Sequence, residues 1–237
     1  HRSILMRFLL PALPDTLELI PSVAVLKGYP VWVKDERYHS FRHDEGRIGA
    51  REIMTALSEQ FPTIHYMDLG GISRGDVDLD LLRTVCSGNA QIMADTGIAF
   101  SEMVIDAIMA GASRVVVSTK SVISLDEIAS SFELTENLVV ELAWDGERII
   151  ARDPLIADME PKDFIREMSE LGITDFIVSN MGASSDPGTL LLGGISDSFP
   201  DDPNIYIGAS SPDELSKVMA PARGAILSAS YMLEGLR

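Results

Sequence analysis

The feature that most constrains the fold of this chain is an alternation of short apolar runs and helical stretches, repeated eight times in succession. The last four rounds resemble the first four. Residues 112–119 (ASRVVVST) align with residues 222–229 (ARGAILSA), and both segments place an Arg before three apolar residues and a Ser after them. Repeated strand–loop–helix units predict an α/β fold, a (β/α)₈ barrel, and the internal repeat indicates two half-barrels. We predict one domain over residues 1–237, with half-barrels of about residues 6–135 and 136–237.

The strands follow from the apolar runs. We predict the first barrel strand at residues 8–13, followed by an irregular excursion to about residue 46. This excursion contains a short hairpin (residues 23–26 and 31–33), and its place after the first strand suggests a lid. The remaining strands are predicted at residues 64–67, 91–94, 115–117, 138–143, 176–178, 205–207 and 225–227.

Composition narrows the function classes. The length of 237 residues suits one barrel of about 250 residues. A formal net charge of −17 argues against nucleic acid and anionic membranes as partners. No apolar stretch reaches the roughly 20 residues of a membrane span. The single cysteine, Cys86, excludes an internal disulfide and fits a reducing compartment, so we predict a cytoplasmic protein. Residues 1–5 are interpreted as a non-native addition before Met6. The oligomeric state is left open.

Small and hydroxylated residues follow several strands and predict phosphate binding. Backbone N–H groups and helix N-termini at such loops attract anions. We therefore expect a small phosphorylated metabolite as ligand, held by loops on opposite sides of the barrel mouth. The candidate residues are Gly97, Ser118, Thr119, Gly208, Ala209, Ser210, Ser228 and Ala229.

Charged residues at strand ends are the catalytic candidates. Asp68 and Asp95 follow the second and third strands, and Lys120 follows the fourth. We expect both carboxylates to open onto one pocket, where their different surroundings separate their pKa values into an acid and a base. Glu141 lies inside an apolar strand and is interpreted as the partner of an Arg at the barrel base, such as Arg114. The four histidines show no metal-ligand spacing, and no cofactor motif is present, so neither a metal nor a cofactor is predicted.

The whole chain resembles the histidine-biosynthesis isomerase family, which includes phosphoribosylformimino-aminoimidazole carboxamide ribotide isomerase and its cyclase sister. It is most similar to the uncharacterised, isomerase-related branch found in archaea and some bacteria. The resemblance implies a half-barrel duplication that acts on a bis-phosphorylated ribose compound. It rests on the motifs at residues 10–13 (LPAL), 68–72 (DLGGI), 97–98 (GI), 118–119 (ST), 145–147 (DGE), 186–189 (DPGT) and 210–215 (SSPDEL).

The chain departs from the family pattern at the catalytic positions. The resemblance implies an Asp at the end of the first strand and another at the end of the fifth, acting as acid and base in an Amadori-type rearrangement. Here the matching positions hold Pro14 and Ala143, while Asp15 and Asp145 stand close by. Two family glycines of the phosphate loops are replaced by Ser118 and Ser228.

These observations leave three hypotheses. The first, which we favour, is a diverged isomerase or lyase acting on a sugar-phosphate-like metabolite. The second is a barrel that binds a ligand or partner without catalysis. The third is a genuine histidine-pathway isomerase in which Asp15 and Asp145 replace the displaced pair. If the side chain of Asp68 or Asp95 points away and only caps its neighbouring helix, the second hypothesis is preferred to the first.

Overall fold

The computed structural model describes residues 7–8, 17–43, 46–180, 204–209, 211–215, 222–234 and 236. The strands are β1 (Arg7–Phe8), β2 (Glu18–Leu26), β3 (Tyr29–Lys34), β4 (Arg37–Ser40), β5 (Arg42–His43), β6 (Gly46–Arg47), β7 (Thr63–Asp68), β8 (Gln91–Asp95), β9 (Arg114–Ser118), β10 (Leu138–Trp144), β11 (Asp175–Asn180), β12 (Asn204–Ala209), β13 (Gly224–Ser228) and β14 (Leu233–Glu234). The α-helices are α1 (Ala50–Ser58), α2 (Leu69–Arg74), α3 (Leu79–Cys86), α4 (Glu102–Met109), α5 (Leu125–Leu134), α6 (Pro154–Ala157), α7 (Pro161–Glu170) and α8 (Pro212–Leu215).

Eight of these strands form a closed parallel barrel. They follow the order β2, β7, β8, β9, β10, β11, β12 and β13, and the barrel closes where β13 pairs in parallel with β2. Among the described residues, helices lie between successive barrel strands, and the connection between β11 and β12 lies outside them. The predicted (β/α)₈ barrel is confirmed. Seven of the predicted strands lie within observed strands. They are confirmed, because each apolar run is long enough to form a strand that is buried in the barrel.

The prediction for the first barrel strand is wrong. The strand that closes the barrel is Glu18–Leu26, which pairs with β13 on one edge and with β7 on the other. Phe8 belongs to the two-residue strand β1, which pairs with β14 outside the barrel sheet. Residues 9–16 lie outside the described residues. Residues 23–26, predicted as a hairpin arm, are the C-terminal part of this barrel strand. Ile20 faces the barrel interior, whereas Val23 and Val25 belong to the apolar core outside the sheet.

The barrel interior has an apolar layer with a polar layer above it. The apolar layer, here called the interior layer, comprises Ile20, Met93, Val116, Val139, Ile177, Tyr206 and Ile226. The residue two positions further along each of these strands is polar or glycine: Ser22, Asp95, Ser118, Glu141, Ser179, Gly208 and Ser228. Side chains two residues apart on a strand share a face. This second set, together with His65 of β7, is called the polar ring, and it lies toward the C-terminal ends of the strands.

A hairpin follows the first barrel strand, as predicted. β3 runs antiparallel to the end of β2, with the turn at Lys27–Gly28, and β4 pairs with β3. β7 occupies one edge of β2 at residues 22–25, and β13 occupies the other edge up to Ser22. β3 pairs with residues 24–26, so it continues along the second edge, beyond the C-terminal end of β13. The hairpin is therefore confirmed near the barrel mouth, and its action as a lid stays a prediction.

No helix in the part of the chain that the structure describes is long and apolar enough to cross a bilayer.

A substitution of Gly97, just after β8, tests the close packing of this segment against α2. Its φ is +75°, and a Cβ added there would lie 2.6 Å from the Cα of Ile72. We expect Gly97→Ala to lower the free energy of unfolding by roughly 2–5 kcal/mol, because backbone strain and steric overlap add. Urea denaturation measures this. Gly49→Ala is the control, since its φ is −75° and its Cβ would meet nothing within 4 Å. Equal stabilities of the two variants would contradict the prediction.

Candidate functional site

A buried ion pair lies in the polar ring. Glu141 points inward from the middle of β10, and Lys120 approaches it from the segment that follows β9. The Lys120 Nζ lies 3.2 Å from Glu141 Oε2 and 3.4 Å from Oε1. Ser179 Oγ donates a hydrogen bond of 2.6 Å to Glu141 Oε1. The side chains of Lys120 and Glu141 are only 22% and 7% exposed, so water screens their attraction weakly.

The charges of this pair support each other. Burial by itself raises the pKa of Glu141, but Lys120 and hydrogen bonds from Ser118 and Ser179 outweigh it and hold the pKa below its usual value. Burial likewise lowers the pKa of Lys120, and the Glu141 and Asp95 carboxylates together raise it above normal. Both groups are therefore charged at neutral pH.

The sequence-based partner for Glu141 is wrong. Arg114 lies at the start of β9, where its Nη1 is 3.2 Å from Asp175 Oδ1 and 3.3 Å from the Tyr206 hydroxyl. Glu141 pairs in register with Ser118 at the other end of the same strand. Ser118 lies four residues after Arg114, which is about 13 Å along the strand. The arginine therefore belongs to the barrel base and the glutamate to the mouth side.

Asp95 is the second carboxylate of the polar ring. It ends β8, is 1% exposed, and its Oδ1 accepts a hydrogen bond of 3.0 Å from the Gly97 N–H. Burial raises the pKa of Asp95 to about 7, and the negative charge of Glu141 adds to this, against the opposing effect of Lys120. A large fraction of Asp95 is therefore protonated at neutral pH, while Glu141 is ionised. Asp95 thus faces the barrel interior, and the catalytic roles of Asp95 and Lys120 stay predictions.

His65 is a further ionisable residue of the polar ring, and the sequence analysis did not identify it as a site residue. Its Nδ1 lies 2.9 Å from Ser22 Oγ. Its Nε2 is buried, and no hydrogen-bond partner for it exists among the described residues. Burial lowers the pKa of His65 to about 4, so its imidazole is neutral at pH 7. The histidines had been considered only as metal ligands. The parity of β7, in which His65 and Met67 share the inner face, was the signal that could have identified it.

Asp68 does not face the polar ring, so the prediction of a common pocket with Asp95 is wrong. Its Oδ1 accepts hydrogen bonds from Gly70 N (2.9 Å) and Gly71 N (3.0 Å). Its Oδ2 accepts one of 2.8 Å from Asp78 N. Asp68 thus caps α2 and ties it to the start of α3. The reason is strand parity: His65 faces inward, so Asp68, three residues later, faces outward.

The predicted replacements for the family aspartates do not lie in the ring either. Asp145 closes a turn, where its Oδ1 accepts hydrogen bonds of 2.9 Å from the N–H groups of both Glu147 and Arg148. Pro14 and Asp15 lie outside the described residues. With β2 as the first strand, the inward residue near its C-terminal end is Ala24, and the corresponding residue of β10 is Ala143. Neither side chain can transfer a proton.

The phosphate-loop candidates divide into two groups. In the first group, polar atoms already bond within the protein. The Gly97 N–H binds Asp95, the Thr119 hydroxyl donates to the Ile150 carbonyl at 2.8 Å and accepts from Ala143 N at 3.2 Å, and Ser118 Oγ accepts from Lys120 N at 3.3 Å. These contacts give an anion little to bind after β8 and β9.

The second group lies at the ends of β12 and β13. Gly208 and Ser228 belong to the polar ring, and Ala209 and Ala229 adjoin them. The Ser228 hydroxyl caps the short 3₁₀ helix Ala229–Tyr231 and lies 3.0 Å from the Ser230 hydroxyl. Ser210 lies outside the described residues. Phosphate binding here stays a prediction.

A sequence model of the family described as histidine biosynthesis protein matches residues 18–236. No protein with a curated description matches the chain. The match starts at Glu18, the first residue of β2, which agrees with the structure in placing the first barrel strand there.

A double-mutant cycle tests the Lys120–Glu141 pair. We expect Lys120→Met alone to lower the free energy of unfolding by roughly 3–5 kcal/mol, since it leaves a buried carboxylate unpaired. Combined with Glu141→Gln, the loss should shrink, with a coupling energy of roughly 1–3 kcal/mol. The control cycle pairs Arg114→Met with Glu141→Gln and should be additive. Coupling of Glu141 to Arg114 in place of Lys120 would refute the assignment.

The raised pKa of Asp95 predicts a pH-dependent stability. The folded protein holds this proton more tightly than the unfolded chain, in which the pKa is near 3.8. The stabilising contribution is thus complete at low pH and is lost as the pH rises toward about 7 and above. The Asp95→Asn variant has no ionisable group at this position, so its stability does not include this pH-dependent loss. We expect its Tm, relative to wild type, to increase by roughly 5 °C or more between pH 5 and pH 8.

Calorimetry measures this difference, and the exposed Asp106→Asn is the control. Besides the Gly97 N–H, the groups that act on Asp95 are Glu141, Lys120 and Asp68. The lowered pKa of Glu141 and the raised pKa of Lys120 keep both of these groups charged over this range. If the difference in Tm between Asp95→Asn and wild type did not change with pH, the raised pKa of Asp95 would be contradicted.

Proposed function

The chain belongs to the histidine biosynthesis protein family, and we propose that it is an isomerase-type enzyme that moves a proton between carbon atoms of a phosphorylated, sugar-like metabolite. Family membership supports the isomerase-like barrel. The polar ring supports a proton-transfer reaction within it. The proposal places the chemistry on Glu141, Asp95 and Lys120, in contrast to the two aspartates of the family pattern.

One observation carries the proposal: two buried carboxylates share a ring with one ammonium group, and their proton affinities differ. Glu141 is ionised beside Lys120, whereas Asp95 has a pKa of about 7. A general base must be unprotonated, and a group that donates a hydrogen bond to a substrate oxygen must keep its proton. We therefore assign Glu141 as the base and Asp95 as the donor. Lys120 stabilises negative charge that develops on the substrate.

The proposed catalytic carboxylate lies deeper in the barrel than the family pattern implies. Glu141 lies two residues before Ala143 on the same face of β10, which moves the carboxylate about 6–7 Å deeper into the barrel. On β2, Ala24 has no carboxylate two residues earlier, since that position is Ser22. Asp95 of β8 supplies the second carboxyl group. A substrate would have to place its reacting atoms lower in the mouth than the family substrate does.

This difference bears on the family reaction. Ala24 and Ala143 are the inward residues near the C-terminal ends of β2 and β10, so neither position offers a carboxylate, and Asp145 is bound in its turn. General acid–base groups typically each contribute about 10²–10⁴-fold to a rate. We therefore propose that aminoimidazole carboxamide ribotide isomerase activity is negligible and that the substrate is a different phosphorylated metabolite. The ends of β12 and β13 are the proposed place for its phosphate.

The second candidate function is ligand binding without catalysis. Two observations favour it: Ala24 and Ala143 stand where the family has its acid and base, and Asp68 only caps a helix. In that case the Lys120–Glu141 pair would only fix the shape of the barrel mouth. The two candidates differ in whether a carbon-bound proton of the ligand exchanges with solvent.

Deuterium exchange distinguishes them. The protein is incubated in D₂O with ribose 5-phosphate and, separately, with ribulose 5-phosphate, and deuterium uptake at carbon is measured by NMR. We expect exchange with wild type and a loss of roughly 10²–10⁴-fold in Glu141→Gln. Asp145→Asn is the matched control and should exchange like wild type. Binding of these sugars without exchange would establish the second candidate and overturn the first.

A further inference from the structure

We propose that His65 is a further catalytic residue, which donates a hydrogen bond from Nε2–H to the carbonyl oxygen of an α-hydroxycarbonyl substrate. This inference rests on the proposed function and deepens it by naming the substrate class. An α-hydroxycarbonyl compound has two neighbouring oxygens beside the carbon that loses its proton. Asp95 is available for the hydroxyl oxygen, and His65 for the carbonyl oxygen.

The position of His65 is the first argument. It projects from the inner face of β7 into the polar ring and is 6% exposed. Ser22 of the neighbouring strand β2 fixes the ring orientation through the 2.9 Å contact with Nδ1. The other nitrogen, Nε2, is buried without a partner among the described residues. Buried polar atoms in folded proteins almost always have a partner, so an orphaned atom in a candidate site indicates a place for a ligand.

The tautomer is the second argument. Ser22 Oγ also lies 3.6 Å from Met67 Sδ, but a thioether sulfur is a weak acceptor, and an imidazole nitrogen is a stronger one. The Ser22 hydroxyl therefore donates to Nδ1, which leaves the hydrogen on Nε2. Nε2 is thus a donor, and it requires an acceptor oxygen.

The charge state is the third argument. Burial, with a contribution from Lys120, keeps the imidazole neutral at physiological pH despite the opposing effect of Glu141. Enzymes that interconvert aldoses and ketoses can use a neutral imidazole to polarise the substrate carbonyl. A neutral donor next to an ionised base avoids a proton transfer between the two residues before the substrate reacts.

The proposed isomerisation conserves atoms and electrons. Glu141 takes the proton from the hydroxyl-bearing carbon, and the C–H electron pair forms a carbon–carbon double bond. The carbonyl π pair moves to oxygen, which receives the Nε2 proton of His65. His65 recovers a proton from the neighbouring hydroxyl, and protonated Glu141 returns its proton to the former carbonyl carbon. The carbonyl group has moved by one carbon, and each protein residue ends in its initial state.

The first test needs no substrate. Long-range ¹H–¹⁵N NMR of the histidine rings reports tautomer and charge, and His65→Gln assigns the signals. We expect His65 of the full-length protein to be neutral from pH 6 to pH 8, with its hydrogen on Nε2. We also expect Ser22→Ala to shift the balance toward Nδ1–H. A charged ring at pH 7, or an Nδ1–H tautomer in the wild type, would overturn the proposal.

The second test uses the deuterium-exchange assay with ribose 5-phosphate and ribulose 5-phosphate. Loss of a preorganised donor at a developing oxyanion typically lowers kcat by about 10²–10³-fold. We expect a loss of this size in His65→Leu, with KM nearly unchanged, and a smaller loss in His65→Gln, which keeps an N–H donor. If wild type and His65→Leu exchange equally fast, the assignment of His65 fails alone. If the wild type does not exchange, the proposed function fails.

Discussion

The buried Lys120–Glu141 ion pair is the interaction on which the candidate site depends. An ionised carboxylate in a barrel interior is unfavourable unless a cation and hydrogen bonds compensate for its lost hydration. Lys120 and Ser179 provide both at Glu141. Burial raises the pKa of Asp95, the next carboxylate in the ring, and the charge that remains on Glu141 adds to this. Burial and the ion pair together separate the protonation states of two carboxyl groups in the polar ring.

The position of this pair follows from how the barrel is filled. The interior layer closes the middle of the barrel with apolar side chains, and the polar ring lies one strand period above it. Because side chains alternate along a strand, the same eight strands provide a packed core at one level and ionisable groups at the next. At the base, Arg114 pairs with Asp175, so the two ends of the barrel hold separate ion pairs.

Asp68 and Asp95 show how little the residue type says about the role. Both end a barrel strand, and both precede a glycine-containing loop. Asp68 faces the helices and uses both oxygens on backbone N–H groups, so it serves as a helix cap. Asp95 faces the ring and accepts one backbone hydrogen bond. The difference arises from strand parity, which decides whether a carboxylate faces a helix N-terminus or the barrel interior.

The sequence by itself determined the barrel, since eight apolar runs alternating with helices have few other compact arrangements. It also indicated Asp95 and Lys120 as residues of the mouth, because loops after barrel strands converge there. Only the tertiary structure decided which of two apolar segments, residues 8–13 or Glu18–Leu26, closes the barrel, because closure requires partners on both edges. Only the structure shows that His65 and Glu141 belong to the polar ring. Their roles depend on inward parity and on neighbours from distant strands, and neither is visible in local sequence.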